Sequence, residues 1–265
     1  MYPYDIIPGI DFYTIFLGIA IVSAIVVFRI CADKMKLNAK IQNFCIFTAV
    51  AAIGIGYFSA IFFQALYNIE KYGKFQINSE TGATFYGGLI GGTLSFIFVY
   101  FVIGRIWFKD IKVHLKNFFS VANIAAAAIA IAHSFGRFGC LMAGCCHGKI
   151  TDAWYGIYMH TVGAKAVPTQ LFEALFLILL FAIFIWRIFN GKCCNLPIYL
   201  SAYGIWRFVI EYFRDDYRGT TVVDFMTPSQ FIALIMTLGA ILLFFIEKRV
   251  SSRLEEKAGN TDELG

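Results

Sequence analysis

Charged residues are scarce in this chain, and their scarcity excludes a soluble globular protein. Asp, Glu, Lys and Arg make up 15% of the 265 residues, whereas 59% are hydrophobic. A soluble domain of this size cannot bury so much apolar surface, so the excess requires lipid as its solvent. The sequence therefore predicts an all-α integral membrane protein whose length suits one compact helical bundle.

Three further features are missing, and each removes a class of protein. The first ten residues, MYPYDIIPGI, carry an acid and lack a basic segment, so we expect no cleavable signal peptide. The seven cysteines form an odd set without the pattern of a disulfide framework. No internal repeat and no nucleic-acid signature is visible, so nucleic acid is not an expected partner.

Seven apolar segments come close to the roughly 20 residues that a membrane-spanning helix needs. They cover about Phe12–Ile30, Phe44–Tyr67, Thr84–Ile103, Val121–Phe135, Thr169–Ile188, Ile198–Phe213 and Ser229–Glu247. The prediction is a seven-transmembrane-helix bundle forming a single domain over residues 1–250. A short extracytoplasmic loop region at about 136–167 interrupts it, and a polar, disordered cytoplasmic tail follows at 251–265.

Lysine and arginine are concentrated in alternate connections, which predicts the orientation. The connections after the first, third and fifth segments and the tail are basic: Lys34, Lys36, Lys40, Arg105, Lys109, Lys112, Lys116, Lys192, Lys248, Arg249, Arg253 and Lys257. The opposite connections mix both signs: Glu70, Lys71, Lys74, Glu80, Arg214, Asp215, Asp216, Arg218 and Asp224. The positive-inside rule then places the amino terminus outside and the carboxyl terminus in the cytoplasm.

The sixth segment, IYLSAYGIWRFVIEYFRDD, is unusually polar. Tyr203, Arg207 and Glu211 are spaced four residues apart, so they share one helix face. Ionisable residues inside a membrane are costly and mark functional sites. The competing interpretation is a structural Arg207–Glu211 pair that ties the bundle together.

A second polar group lies in HSFGRFGCLMAGCCHGK, at the predicted outer end of the fourth helix. Arg137 stands between Gly136 and Gly139, which allow close backbone approach, and its planar guanidinium suits a phosphate. His133 precedes Arg137 by four residues and shares its face. The competing interpretations are an arginine that reaches lipid head groups and a hydrogen-bonded interior histidine.

Cys140, Cys145, Cys146 and His147 follow in the order C-x4-C-C-H. Zinc sites usually contain cysteine pairs separated by two to four residues, so this spacing is a weak metal signal. Packing in a glycine-rich turn is the favoured interpretation, and a redox role is the alternative. We therefore predict no metal and no cofactor.

Two other segments contribute candidate residues. FYGGLIGG places Gly87 and Gly91, and likewise Gly88 and Gly92, four residues apart, which favours close helix packing. Tyr86 beside them is an interfacial anchor or a site residue. The fifth segment opens with VPTQLFEA, where Gln170 and Glu173 either bond a neighbouring helix or line a cavity.

Four blocks together resemble the prolipoprotein diacylglyceryl transferase family. FYGGLIGG is similar to that family's F-H-G-G-L-I-G, GRFGCLMAGCCHGK to G-R-x-G-N-F-x-N-x-E-x-x-G, VPTQLFEA to H-P-[ST]-Q-L-Y-E, and YGIWRFVIEYFRDD to Y-G-x-x-R-F-x-x-E-F-x-R. The resemblance spans residues 86–216. It implies a seven-span enzyme of the bacterial cytoplasmic membrane that moves diacylglyceryl from phosphatidylglycerol to the lipobox cysteine of a preprolipoprotein, releasing glycerol phosphate.

The resemblance also implies roles for individual residues. Arg137 and Arg207 would hold the lipid phosphate, with Tyr203 and Glu211 supporting them and Arg214 at the outer rim. Further candidates for substrate binding are Tyr86, Gly87, Gly136, Gly139, Gln170 and Glu173. Cations aimed at a departing anion stabilise it in a low-dielectric site.

This chain departs from the family pattern where proton transfer is expected. Tyr86 replaces the histidine of the first block, Cys140 and Cys145 replace an asparagine and the glutamate of the second, and Val167 replaces the histidine of the third. A tyrosine with an ordinary pKa near 10 is a poor base at neutral pH. We therefore expect His133 to supply the base, with Tyr203 and Arg207 as its catalytic partners.

Three alternatives stay open at this level. The same scaffold could serve a transferase with another acceptor. A membrane thiol-redox or metal-handling protein would use Cys140, Cys145, Cys146 and His147. A transporter of anionic solutes would need a polar path across the membrane, whereas the polar residues here gather near the outer ends of the helices.

Overall fold

The structure is a computed structural model that describes residues 4–78, 81–108, 111–214 and 225–262. Several charges used to predict orientation lie outside these ranges: Glu80, Lys109, Asp215, Asp216, Arg218 and Asp224. The chain divides into two compact units, and each is described by itself. The first comprises Met1–Lys36 and Phe119–Gly265, and the second comprises Leu37–Phe118.

The first unit is helical with two short antiparallel hairpins. Strands β1 (Asp5–Ile7) and β2 (Ile10–Asp11) precede helix α1 (Phe12–Lys34). The later elements are α5 (Ile111–Ala143), β3 (Ile157–Met159), β4 (Ala164–Ala166), α6 (Thr169–Phe189), α7 (Asn195–Ile210) and α8 (Pro228–Asp262). Helix α5 begins in the second unit, β3 pairs with β4, and a 3₁₀ turn at Glu211–Phe213 follows α7.

The second unit packs α2 (Ala39–Tyr72) against α3 (Phe85–Phe98), which continues through a π-helical segment at Val99–Ile103 into α4 (Gly104–Phe108). Glycine allows the two long helices to approach closely. A methyl group on Gly91 would overlap Ser59, and one on Gly56 would lie 2.9 Å from the Gly88 carbonyl oxygen. The prediction of close packing by the FYGGLIGG segment is therefore confirmed.

Within the described residues, six helices are long and apolar enough to cross a membrane: Phe12–Lys34, Ala39–Ile69, Tyr86–Phe108, Asn117–Ala143, Thr169–Phe189 and Pro228–Val250. This agrees with a helical membrane protein but does not confirm seven spans. The predicted sixth span corresponds to α7, which has 16 residues. A helix of that length rises about 24 Å, less than the roughly 30 Å hydrocarbon core.

Polar contacts with α5, α6 and α8 fix the position where α7 begins. The Cys194 backbone N–H donates to Glu247 on α8 at 3.1 Å, and that of Asn195 donates to Asn123 on α5 at 3.0 Å. Arg187 at the end of α6 donates to the Asn195 side chain at 2.7 Å. These bonds satisfy backbone and side-chain groups that would otherwise be buried without partners.

One predicted boundary is wrong. The fourth predicted segment ends near Phe135, but α5 continues to Ala143, so Gly136 and Gly139 are helical and the following loop begins at Gly144. Alanine-rich stretches favour helix, and the glycines do not interrupt it because tertiary contacts outweigh their low propensity.

Helix α8 extends to Asp262, beyond the start of the predicted tail. The disorder of residues 251–265 and the single domain over 1–250 stay predictions.

Candidate active site

Glu173 is the centre of a polar cluster built from α5, α6 and α7. Its carboxylate is fully buried and lies 3.0 Å from Nε of Arg137, forming an ion pair. The Tyr203 hydroxyl donates to the same oxygen at 2.7 Å. A buried charge requires such partners, so α6 holds Arg137 and Tyr203 in fixed positions around one carboxylate.

His133 belongs to the same cluster. Its Nδ1 lies 3.1 Å from the Tyr199 hydroxyl, and its Nε2 lies 3.8 Å from the Glu173 carboxylate. Its ring contacts Tyr203 at 4.8 Å between centroids, and Tyr199 stacks on Tyr203. His133 and Arg137 are one helical turn apart on α5, and both side chains lie close to the Glu173 carboxylate. This agrees with the predicted shared helix face.

Arg207, Glu211 and Arg214 form a second buried group at the end of α7. Nη2 of Arg207 lies 2.7 Å from the Glu211 carboxylate, and Nε of Arg214 lies 4.0 Å from it. The Thr227 hydroxyl donates to Glu211 at 3.1 Å, and Arg207 donates to Ser229 on α8 at 3.2 Å. One carboxylate is thus shared by two arginines, so the group carries an excess positive charge.

The two groups are linked through α7. Tyr203, which bonds Glu173, lies one helical turn before Arg207 and shares its helix face. Among the described residues, Nη1 of Arg207 is buried without a hydrogen-bond partner. A buried guanidinium nitrogen is costly to leave unsatisfied, so the arrangement suits an anion that arrives from outside the protein.

The two glycines that flank Arg137 differ in their surroundings. A methyl group on Gly139 would meet the Tyr13 ring at 3.1 Å and Phe16 at 3.3 Å, so this glycine allows α1 to approach α5. A methyl group on Gly136 would meet nothing within 4 Å. Gly136 therefore has open space on its side of α5.

The loop after α5 is fixed by side chains from its neighbours. Gln170 donates to the Cys145 carbonyl oxygen at 2.7 Å, and Thr169 donates to that of Cys146 at 2.9 Å. The Thr161 hydroxyl donates to the Gly144 carbonyl oxygen at 2.6 Å. Gln170 and Thr169 are fully buried. The start of α6 therefore positions two features. Thr169 and Gln170 hold this loop, and Glu173 one turn later holds Arg137.

This loop brings three cysteines together. The sulfur atoms of Cys140, Cys145 and Cys146 all lie within 4.8 Å of one another. Hydrogen bonds from the Cys140 and Cys145 thiols, and then the charges of Arg214 and Arg137, hold the pKa of Cys146 below its ordinary value. His147 lies outside this cluster, with Nδ1 2.8 Å from the Gly148 carbonyl oxygen.

Two predicted site residues belong to the other unit. Tyr86 lies in the first turn of α3, half-buried. A methyl group on Gly87 would lie 2.7 Å from Phe63 and 2.6 Å from Thr84, so Gly87 has a packing role within its own unit. Their parts in substrate binding stay predictions.

Sequence reasoning missed Tyr199, Ser229 and Thr227. Tyr199 precedes Tyr203 by four residues, so extending the Tyr203, Arg207, Glu211 series by one turn would have found it. Ser229 and Thr227 show no such periodic signal, because their contacts with α7 arise only when α8 packs against it.

A family model described as prolipoprotein diacylglyceryl transferase matches residues 5–246. The chain belongs to the prolipoprotein diacylglyceryl transferase family. Among its relatives, a phosphatidylglycerol–prolipoprotein diacylglyceryl transferase 2 of Clostridium perfringens (strain 13 / Type A) is 29% identical over 247 residues, 89% of this chain and 90% of the relative. A phosphatidylglycerol–prolipoprotein diacylglyceryl transferase of Clostridium tetani (strain Massachusetts / E88) is 30% identical over 63% of this chain and 65% of its own length. One of Rickettsia rickettsii (strain Sheila Smith) is 29% identical over 80% of this chain and 82% of its own length.

The family membership confirms the resemblance found in the sequence blocks. Together with the apolar helices it makes this chain a bacterial membrane protein. The arginine clusters correspond to the blocks that carry the resemblance. Guanidinium groups oriented by buried carboxylates, as Arg137 is by Glu173 and Arg207 by Glu211, can bind a phosphate and stabilise the charge that develops when it leaves.

Proposed function

We propose that this chain transfers the diacylglyceryl group of phosphatidylglycerol to the thiol of a lipobox cysteine in a preprolipoprotein, releasing glycerol phosphate. The names of the transferases that resemble it over most of its length support this activity. The observation that carries the proposal is the buried Arg137–Glu173 pair, which is bonded to Tyr203 one helical turn before Arg207 on α7.

The lipid phosphate is the group that these arginines are suited to bind. In the proposed complex, Arg137 and Arg207 each donate to phosphate oxygens, and the unsatisfied Nη1 of Arg207 gains a partner. Electrostatic stabilisation of the departing glycerol phosphate would then lower the barrier to transfer.

The remaining residues support this site in the proposal. Glu173 and Tyr203 orient Arg137, while Glu211 orients Arg207 and Arg214, with Arg214 at the outer rim. Gln170 fixes the neighbouring loop. Gly136 and Gly139 on α5 complete this part of the proposed lipid site.

The acceptor thiol must lose a proton, and His133 is the proposed base. It lies one helical turn from Arg137 and contacts both Tyr199 and Tyr203. A neutral imidazole has a ring nitrogen that can accept a proton, whereas the tyrosine at the family's histidine position carries a phenol, which is a poor base at neutral pH.

The proposal includes the orientation in the bacterial cytoplasmic membrane, with the amino terminus outside and the carboxyl terminus in the cytoplasm. It also includes the signal peptide and the bilayer as partners. Family membership favours this activity over the thiol-redox or metal-handling alternative, and His147 does not join the cysteine cluster on which that alternative depends.

A reconstitution with labelled lipid tests the function directly. Purified protein, phosphatidylglycerol labelled in its glyceryl head group and a lipobox peptide should yield a thioether peptide and labelled glycerol phosphate. Replacing Arg137 by Lys keeps the charge but removes the planar fork, so transfer should fall about 100-fold. Lys165→Ala, which removes an exposed cation from the β3–β4 hairpin, is the matched control and should keep wild-type activity.

Two results would contradict the proposal. Wild-type protein that consumes no phosphatidylglycerol with any lipobox peptide would exclude the transferase activity. Arg137→Lys with wild-type activity would show that this guanidinium does not hold the phosphate. Phosphatidylethanolamine in place of phosphatidylglycerol tests whether the glyceryl head group is required.

A further inference from the structure

The three-cysteine cluster occupies a position where the family pattern has an asparagine and a glutamate. Cys140 follows Arg137 by three residues on α5, so both side chains lie on one helix face about 4.5 Å apart along the axis. A group bound at the cluster would therefore be a neighbour of the lipid phosphate held by Arg137.

The distances between the sulfurs are suitable for one metal ion. Two sulfurs bound to zinc at about 2.3 Å each lie about 3.8 Å apart in tetrahedral geometry. The three sulfurs already lie within 4.8 Å of one another, so small side-chain rotations are enough to converge. Among the described residues, they are the only group of three or more potential ligands that meets this criterion.

The loop that supplies two of the cysteines is held rigidly. Cys146 has a φ of 61°, in the left-handed region that residues other than glycine rarely adopt. The buried side chains of Thr169 and Gln170 hold the carbonyl oxygens of Cys146 and Cys145. Strain that the surroundings maintain in this way is typical of functional sites.

Charge and access also suit a metal site that binds a further ligand. Three thiolates around Zn²⁺ carry a net charge of about −1, and the cation Arg137 lies about one helical turn from Cys140 on α5. Cys145 is exposed, and Cys140 and Cys146 are partly exposed, so a fourth ligand can reach the ion. Catalytic zinc sites have three protein ligands and one such open position, whereas structural sites are closed.

We propose that Cys140, Cys145 and Cys146 bind one zinc ion, and that the thiol of the acceptor cysteine becomes its fourth ligand. This rests on the proposed function, because it names the group that activates the acceptor. A thiol bound to zinc is deprotonated, and a zinc ion at this position would compensate for the loss of the family's histidine at Tyr86.

The acceptor thiol binds zinc and loses its proton, which passes through water to His133. Its sulfur electron pair forms the C–S bond with the diacylglyceryl carbon. The bond from that carbon to the phosphate oxygen breaks, and its electron pair leaves on glycerol phosphate between Arg137 and Arg207. The thioether product is a weak zinc ligand and dissociates.

The first test measures the metal independently of activity. Full-length protein purified in detergent, dialysed against Zn²⁺ and desalted, should contain about one zinc ion per chain. The triple variant Cys140→Ser/Cys145→Ser/Cys146→Ser should contain none, and Cys193→Ser, which removes an exposed thiol elsewhere, should retain it. Wild-type protein without zinc, or with copper in its place, would overturn the proposal.

The second test uses only the wild-type chain, so it does not depend on how a variant folds. X-ray absorption at the zinc edge should show three sulfur ligands, and four after a lipobox peptide is added without lipid. A peptide with serine in place of the cysteine should leave three. A sulfur count that stays at three with the cysteine peptide would exclude activation of the acceptor by the metal.

Activity then separates this proposal from the proposed function. Removing zinc with a chelator should lower transfer about 100-fold, and adding Zn²⁺ should restore it. Transfer that continues undiminished without metal would overturn the zinc proposal and leave the transferase standing. Zinc bound by three sulfurs, with a fourth on addition of peptide but no transfer from phosphatidylglycerol, would contradict the proposed function alone.

Discussion

At the scale of single residues, the site is organised by two buried carboxylates and the arginines around them. Glu173 takes an ion pair from Arg137 and a hydrogen bond from Tyr203, while Glu211 pairs with Arg207. Removing one member of a buried pair costs roughly 3–5 kcal/mol, because the other charge is left uncompensated. The same residues therefore contribute to folding and, in the proposed function, bind the lipid phosphate.

His133 provides the test at this scale. Replacing it by Ala should lower transfer about 100-fold while phosphatidylglycerol binding persists, because the lost group handles a proton rather than the phosphate. Initial rates and lipid binding measured on the same preparation separate the two effects. Tyr199→Phe, which removes the hydroxyl that contacts His133 Nδ1 at 3.1 Å, is the companion variant and should lose less activity.

Full transfer by the His133→Ala variant would refute the assignment of this histidine as the base. If the variant loses lipid binding together with activity, His133 would instead be a residue that maintains the structure of the site.

At the scale of elements, the packing of α7 against α8 positions Arg207. A methyl group on Gly204 would overlap the Thr237 hydroxyl and lie 2.9 Å from the Ala233 carbonyl oxygen, both on α8. Arg207 follows three residues later and donates to Ser229 on that helix. The closeness of the two helices therefore determines where this guanidinium lies.

Gly204→Ala should separate the two helices and destabilise the protein by about 1–3 kcal/mol, the usual cost of overpacking. Activity should fall as well, since Arg207 moves with α7. Thermal unfolding in detergent and the transfer assay measure the two effects. Gly239→Ala on α8, where the added methyl group meets nothing within 4 Å, is the matched control and should be neutral. Equal behaviour of the two variants would show that this contact does not position α7.

At the scale of the whole molecule, the proposed orientation makes a prediction about accessibility. Cys145, in the loop after α5, and Cys193, between α6 and α7, are both exposed thiols. The orientation places the first outside the cytoplasm and the second inside. Variants that keep one of these cysteines and no other should therefore react differently with a membrane-impermeant maleimide.

In intact spheroplasts treated with a chelator, the Cys145 variant should be labelled at once. The Cys193 variant should be labelled only after the membrane is permeabilised. The reverse pattern would invert the orientation, and labelling of both from outside would show that α6, which separates the two cysteines, does not cross the membrane.

The sequence alone determined the membrane class and which polar residues share a helix face, because both depend on local composition and spacing. Apolar segments predicted the long helices, and four-residue spacing placed Arg207 with Glu211 and His133 with Arg137. The tertiary structure decided the partners that lie far apart in the chain. These contacts form only when the helices pack against each other: Glu173 with Arg137, Ser229 with Arg207, and Thr169 with the cysteine loop. For the same reason, packing around α5 decided that it continues to Ala143, beyond the end of the predicted apolar segment near Phe135.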